Sequence, residues 1–125
     1  MTRLLFETYL LLLRMEWEMR FGDLRSLHNL VRQQRIATPR SLPLAALDAL
    51  NRAIDLACVF YFKQVLCLQR SAATTLLLRR HGYKAEMVVG AQLIPFKSHA
   101  WVEVDTHVVN DKPYVQEIYR ELERC

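Results

Sequence analysis

Cys67-Leu68-Gln69-Arg70-Ser71-Ala72-Ala73-Thr74-Thr75-Leu76-Leu77-Leu78 reads as the first turns of a buried helix that starts on a thiol. Leu68, Ala72, Thr75 and Leu76 share one helical face, and Leu77 and Leu78 widen it. A helix apolar over so much of its circumference belongs at the centre of a core. Arg79-Arg80-His81 then precede Gly82, which reads as cations in a last turn ahead of a C-capping glycine. Beyond Gly82 the apolar period changes to two. Ala85, Met87, Val89 and Ala91 alternate with Glu86, Val88 and Gly90. Ser98 to Val104 alternates again, with Ala100, Val102 and Val104 on one face and His99, Trp101 and Glu103 on the other. Thr106 to Asn110 makes a third short strand after a turn at Asp105-Thr106.

Three residues in this order carry a chemistry. A thiol at a helix start, an imidazole on one strand and a carboxylate just after the next make a nucleophile, a base and an orienting acid. The candidates are Cys67, His99 and Asp111. If the hairpin centres near Asp105, residues whose numbers sum to about 210 face each other, which sets His99 opposite Asp111. A slip of one residue would part them, because strand side chains alternate between faces. Asp105, at the turn, and Glu103, on the face of His99, are competing carboxylates. Backbone N–H groups at a helix start can hold an oxyanion. The amide of Cys67 or Leu68 is the candidate donor, with Gln64, three residues upstream of the thiol, as a helper or as an exposed loop residue. Trp101 and Glu103 are candidates for a substrate groove.

Upstream the chain reads as helical. Residues 2–19 form one helix, and a second starts from a cap at Asp23 or Ser26 and runs through Leu27, Leu30 and Val31 toward Ile36. Thr38-Pro39-Arg40-Ser41-Leu42-Pro43 is a connector too short to separate domains. Leu44, Leu47, Leu50, Ile54 and Cys58 make a helical stripe over 44–58, with Cys58 a small core residue. After Pro113, the residues Tyr114, Val115, Ile118, Tyr119 and Leu122 are spaced for a C-terminal helix. The expected fold class is α+β: one domain over 1–125, with N-terminal helices at 1–43 and a catalytic core with a small antiparallel sheet at 44–125.

Bulk properties narrow the function. The net charge of +4 comes from scattered basic residues without a long run, which does not point to nucleic acid. Three cysteines and no signal peptide suggest a reducing, cytoplasmic setting rather than a disulfide framework. The apolar start, through Leu10-Leu11-Leu12-Leu13, is closed by Arg14, Glu16 and Glu18 and is too short and charged for a membrane span. No cofactor is called for. No Cys-x-x-Cys pair exists, so a metal is not expected. His28, His81 and His107 show no partner and read as solvated or helix-end residues.

The order Cys67, His99, Asp111 is similar to that of papain-like and transglutaminase-like sites. Cys67-Leu68-Gln69-Arg70-Ser71, Leu77-Leu78-Arg79-Arg80-His81-Gly82, Met87-Val88-Val89-Gly90, His99-Ala100-Trp101-Val102-Glu103 and Asn110-Asp111 together resemble the leader peptidases of lasso-peptide biosynthesis, within the transglutaminase-like cysteine protease superfamily. The likeness covers most of residues 50–125. The chain departs from it at Thr106, where a glycine commonly follows the turn aspartate. The resemblance implies a transglutaminase-like or papain-like core and a catalytic triad of Cys67, His99 and Asp111. It implies a precursor peptide as substrate, a separate leader-binding recognition protein as partner, and a lasso cyclase acting afterwards. The chain looks like the stand-alone form, with the helices of 2–35 a docking surface. Two rival functions are an acyl transferase of transglutaminase type and a non-catalytic peptide-binding module of the same fold.

Overall fold

The computed structural model describes residues 2–36 and 44–125. The helix opening on Cys67 spans Cys67–Arg80 (α4) and is buried almost throughout. It ends in the double-bonded glycine turn its sequence predicts. Gly82 adopts φ 94°, its N–H donates to the carbonyl of Arg79 at 3.1 Å, and that of Tyr83 donates to Leu78 at 3.0 Å. Three helices pack around α4: α1 (Thr2–Phe21), α2 (Leu24–Gln33) and α3 (Leu44–Phe60). Asp23 caps α2, accepting the N–H of Ser26 at 2.8 Å. This helix stops at Gln33, short of Ile36. The connector Thr38–Pro43 and the proposed boundary after it lie outside the described residues.

The sheet follows as β1 (Ala85–Leu93), β2 (Phe96–Val104), β3 (His107–Val109) and, after a short helix α5 (Val115–Ile118), β4 (Arg120–Arg124). Its order is β3-β2-β1-β4, and every pairing is antiparallel. Helices cover one face, where Ala85, Met87 and Val102 join Leu76, Leu77 and Leu78 in the main core. On the other face Val88, Trp101 and Val115 form a smaller cluster. The fold is therefore α+β.

Two expectations need correction. The C-terminal helix is one turn long. Tyr114, Ile118 and Leu122, read as its apolar stripe, are exposed, and residues 120–124 are an edge strand on β1. The backbone of β1 needs partners along both edges, and that demand outweighs a helical spacing few residues long. The hairpin register is also one residue from the expected one: Val102 pairs with Val109 and Val104 with His107. Asp105 and Thr106 form a two-residue turn with φ of 51° and 66°, the primed geometry suited to hairpins.

Candidate active site

The N-terminus of α4 is held from below by Gln69, which is buried. Its Oε1 accepts the N–H of Leu66 at 3.4 Å and its Nε2 donates to the carbonyl of Leu12 in α1 at 3.0 Å. Beside it, Tyr61 and Lys63 donate to the Glu16 carboxylate at 3.3 and 2.9 Å. The Lys63 hydrogen bond holds Glu16 below the usual carboxylate range, against a smaller opposing effect of burial. Burial pushes the Tyr61 phenol up to about 12. These ties fix where the chain turns into the helix, and so where Cys67 points. Its thiol is free and exposed. Cys58 and Cys125 are half-buried, and desolvation pushes both thiols up.

His99 and Asp111 meet. Nε2 of His99 lies 2.6 Å from Oδ2 of Asp111. The strand ladder does not achieve this. It stops at Val109, and Asn110, at φ 56°, turns the chain so that Asp111 swings back to the imidazole. The off-by-one register is thus compensated beyond the strand end. Because β3 pairs with β2 only over 102–104, the rest of β2 has an open edge on that side. Around that edge, His99 from one face and Ala100 from the other line a cleft of about 480 Å³ with Cys67 and Asp111. Gln64 also lines it, exposed. Leu68 borders a second, smaller pocket that shares Cys67 and His99.

Several contacts at the site escaped the sequence reading. Tyr119 stacks on His99 with ring centroids 5.2 Å apart, and Trp101 follows at 6.2 Å. Gly90, opposite His99 on β1, leaves room for the Trp101 ring: a Cβ there would stand 2.8 Å from it and 2.9 Å from the Arg120 carbonyl. Arg70, one turn after Cys67, donates from Nε to Asn110 Oδ1 at 2.6 Å and pairs through Nη2 with Asp55 of α3. Asn110 in turn donates to Asp55 at 3.1 Å. This bracket from three elements holds the residue before Asp111. Its sequence signals are a cation at i+3 from the thiol and the asparagine before Asp111, both within the stretches that carry the family resemblance.

The groove candidates divide. Trp101 forms part of the cleft wall while staying buried. Glu103 does not line the cleft. It is only 4% exposed and accepts from Trp101 Nε1 at 2.8 Å, Gln116 Nε2 at 3.0 Å and Arg124 Nη1 at 3.0 Å. Those partners remove it as an acid for His99. Burial opposes its ionised form, but the hydrogen bonds and the Arg124 charge outweigh burial and hold its carboxyl below the ordinary value. A depressed pKa contributes stability that is present above the unfolded value and lost as pH falls through the folded one. Thermal melts are expected to show stability dropping on acidification below the unfolded carboxylate range, with Glu103→Gln removing part of that slope. An unchanged slope in Glu103→Gln would count against this account.

The histidines also differ from expectation. His81 Nε2 lies 3.2 Å from Glu7, and His28 is buried with Nδ1 3.0 Å from Glu123. Among the described residues His28, Glu123 and Cys125 bring metal-ligating atoms within 4.8 Å. The Arg32 guanidinium already pairs with Glu123, and a fixed cation there opposes a metal. No helix of the described residues is long and apolar enough to cross a membrane.

A family model described as the transglutaminase-like superfamily matches residues 9–124. The chain belongs to the transglutaminase-like superfamily. It is also 39% identical over 51 residues to the microcin J25-processing protein McjB of Escherichia coli. That stretch is 41% of this chain and 24% of McjB, so the likeness spans about a quarter of that relative's length. No solved structure matches the chain.

Proposed function

We propose that the chain is a cysteine endopeptidase that removes the leader from a ribosomally made lasso-peptide precursor. The observation that carries this reading is the 2.6 Å His99–Asp111 contact in a cleft shared with an exposed thiol at a helix start. Likeness to a protein that processes microcin J25, a lasso peptide, supports the substrate class.

Asp111 occupies Nε2 of His99, which leaves Nδ1 as the nitrogen to take the thiol proton. Sγ of Cys67 attacks the scissile carbonyl carbon while its proton passes to Nδ1. The oxyanion accepts hydrogen bonds from the helix-initial N–H of Cys67 or Leu68, with Gln64 alongside. These first amides have no partner within the helix. Collapse breaks the C–N bond, and the leaving amine takes the proton from His99. Water, deprotonated by His99, then attacks the thioester and restores the thiol. Asp111 orients the ring and stabilises the imidazolium. No cofactor takes part.

A separate leader-binding protein would present the substrate, and a lasso cyclase would act on the product. The docking surface is the outer face of α1. Phe6, Leu10, Leu13, Trp17 and Phe21 all stand exposed there, at spacings of four, three, four and four residues. A contiguous apolar stripe of this kind marks an interaction site. Trp17→Glu is expected to weaken binding of that protein about tenfold or more by calorimetry, with the fold's stability shifted by less than about 0.5 kcal/mol. Unchanged binding would move the docking site elsewhere.

The deciding experiment mixes the protein with a candidate precursor, with and without the leader-binding protein, and weighs the products. Two peptide pieces are expected. A ligated product would replace hydrolysis with acyl transfer, and an intact precursor under both conditions would leave a binding module.

A further inference from the structure

We propose that Tyr119 is a positioning residue for His99: stacked on the imidazole, its ring fixes the rotation in which Nδ1 is left to take the thiol proton. The proposal deepens the peptidase reading above and rests on it.

The Asp111 contact does not by itself hold the imidazole still. It is one hydrogen bond, 2.6 Å long, at one ring nitrogen. The torsion about Cβ–Cγ of a histidine lies in a broad well rather than a sharp staggered one. Nε2, at the far end of the ring, sits closer to the Cβ–Cγ axis than Nδ1 does. Turning about that axis therefore sweeps Nδ1 farther than Nε2, and a bond at Nε2 resists the turn only weakly. A group packed against the face of the ring resists it directly.

Tyr119 is that group. Its ring lies 5.2 Å from that of His99, centroid to centroid, with the planes 30° apart. No hydrogen bond of its hydroxyl is found among the described residues, so the contact belongs to the ring. The backbone holds Tyr119 from both sides. Its N–H donates to the Val115 carbonyl at 3.0 Å, and Arg120, the next residue, pairs with Ala91 of β1. Val115 is buried against Val88 and Trp101, and Tyr119 packs on the same cluster. Trp101 completes the set, 6.2 Å from His99 and 6.3 Å from Tyr119, with Nε1 tied to Glu103 at 2.8 Å. The imidazole thus meets a ring whose own place is set by α5, β4 and β1. An aromatic face also attracts the imidazolium that forms when the proton arrives. The alternative is that Tyr119 only fastens β4 to the sheet and leaves the chemistry untouched.

The test compares Tyr119→Phe and Tyr119→Leu, each alone and combined with His99→Ala. Iodoacetamide alkylation of Cys67 is followed by peptide mass, cleavage of a cognate precursor by kcat and KM, and folding by thermal melts. Tyr119→Leu is expected to slow alkylation and lower kcat by about tenfold, the scale of one aromatic pair, with KM within about twofold of the parent. Tyr119→Phe keeps the ring and should stay within about twofold in both. In the His99→Ala background Tyr119→Leu should change alkylation by less than about twofold, because interacting residues are not additive. A folded Tyr119→Leu with the parent's kcat would overturn the proposal, and so would equal slowing in the His99→Ala background or a Phe variant as slow as Leu. Should Tyr119→Leu fail to fold, nuclear magnetic resonance of the parent decides. Cross-peaks between the ring protons of His99 and Tyr119 are expected, and their absence would overturn the stack. A fast, His99-dependent thiol that ignores Tyr119→Leu sinks the positioning role alone. If iodoacetamide labels Cys67 no faster than Cys58 and His99→Ala changes nothing, the peptidase reading falls and takes this role with it.

Discussion

Cys67→Ala is expected to abolish cleavage of a cognate precursor, by about 10⁴-fold or more, while leaving the fold in place. The size follows from the behaviour of nucleophile–base units, in which losing either member costs nearly as much as losing the whole set. His99→Ala should fall equally far, and the double variant should be no worse than either single one. Asp111→Ala should retain a residual rate, because Cys67 and the helix-initial amides remain and only ring orientation and imidazolium stabilisation are lost. The thiol is exposed, so its truncation leaves no core cavity and should shift stability by less than about 0.5 kcal/mol. Precursor cleavage by mass spectrometry, together with a thermal melt, measures both. Full activity in Cys67→Ala would remove the mechanism. A loss of activity with a collapsed melt would show that the residue is structural.

The parts of this fold legible in the sequence are those whose signal is local and long. The α4 pattern, ended by its glycine stop, and the two alternating runs within β1 and β2 each rest on seven or more residues that agree with one another. The C-terminal segment was not legible, because Val115 and Tyr119 pack against Trp101 and His99 across the sheet rather than along one helix. That demand comes from residues some fifteen to twenty positions away. The hairpin register depended on one turn, and a one-residue difference there is invisible to alternation alone. The pairing of His99 with Asp111 was anticipated from strand register, whereas the left-handed Asn110 produces it. Nothing in the spacing betrays that device. Its support, Arg70 to Asn110 and Asp55, links α3, α4 and the end of β3 over separations of 15 to 55 residues.

Arg79 shows the same limit and carries the largest expected effect on stability. As a sequence feature it is a helix-end cation like its neighbour Arg80. In the fold it is 8% exposed and acts as a tie between three chain segments. Its Nε donates to the Ala85 carbonyl at 2.8 Å, Nη1 to the carbonyls of Val31 and Gln34 at the end of α2, and Nη2 to the Cys125 carbonyl at 3.0 Å. Burial disfavours the guanidinium's charge and lowers its pKa, partly offset by negative charge at Cys125 and Glu86. Even so an arginine stays protonated, and its planar fork reaches carbonyls pointing from different directions. Arg79→Met keeps much of the volume but strands these buried acceptors, at about 1–3 kcal/mol for each one that water cannot reach. A total loss of about 3 kcal/mol is expected, which for a domain of this size lowers the melting temperature by about 10 °C. Arg79→Lys keeps the charge without the fork and should fall between. Arg80→Met, on the exposed side of the same turn, should stay within about 0.5 kcal/mol of the parent. Melts of all three variants decide the matter, and an Arg79→Met protein as stable as Arg80→Met would show that the tie contributes nothing to the fold.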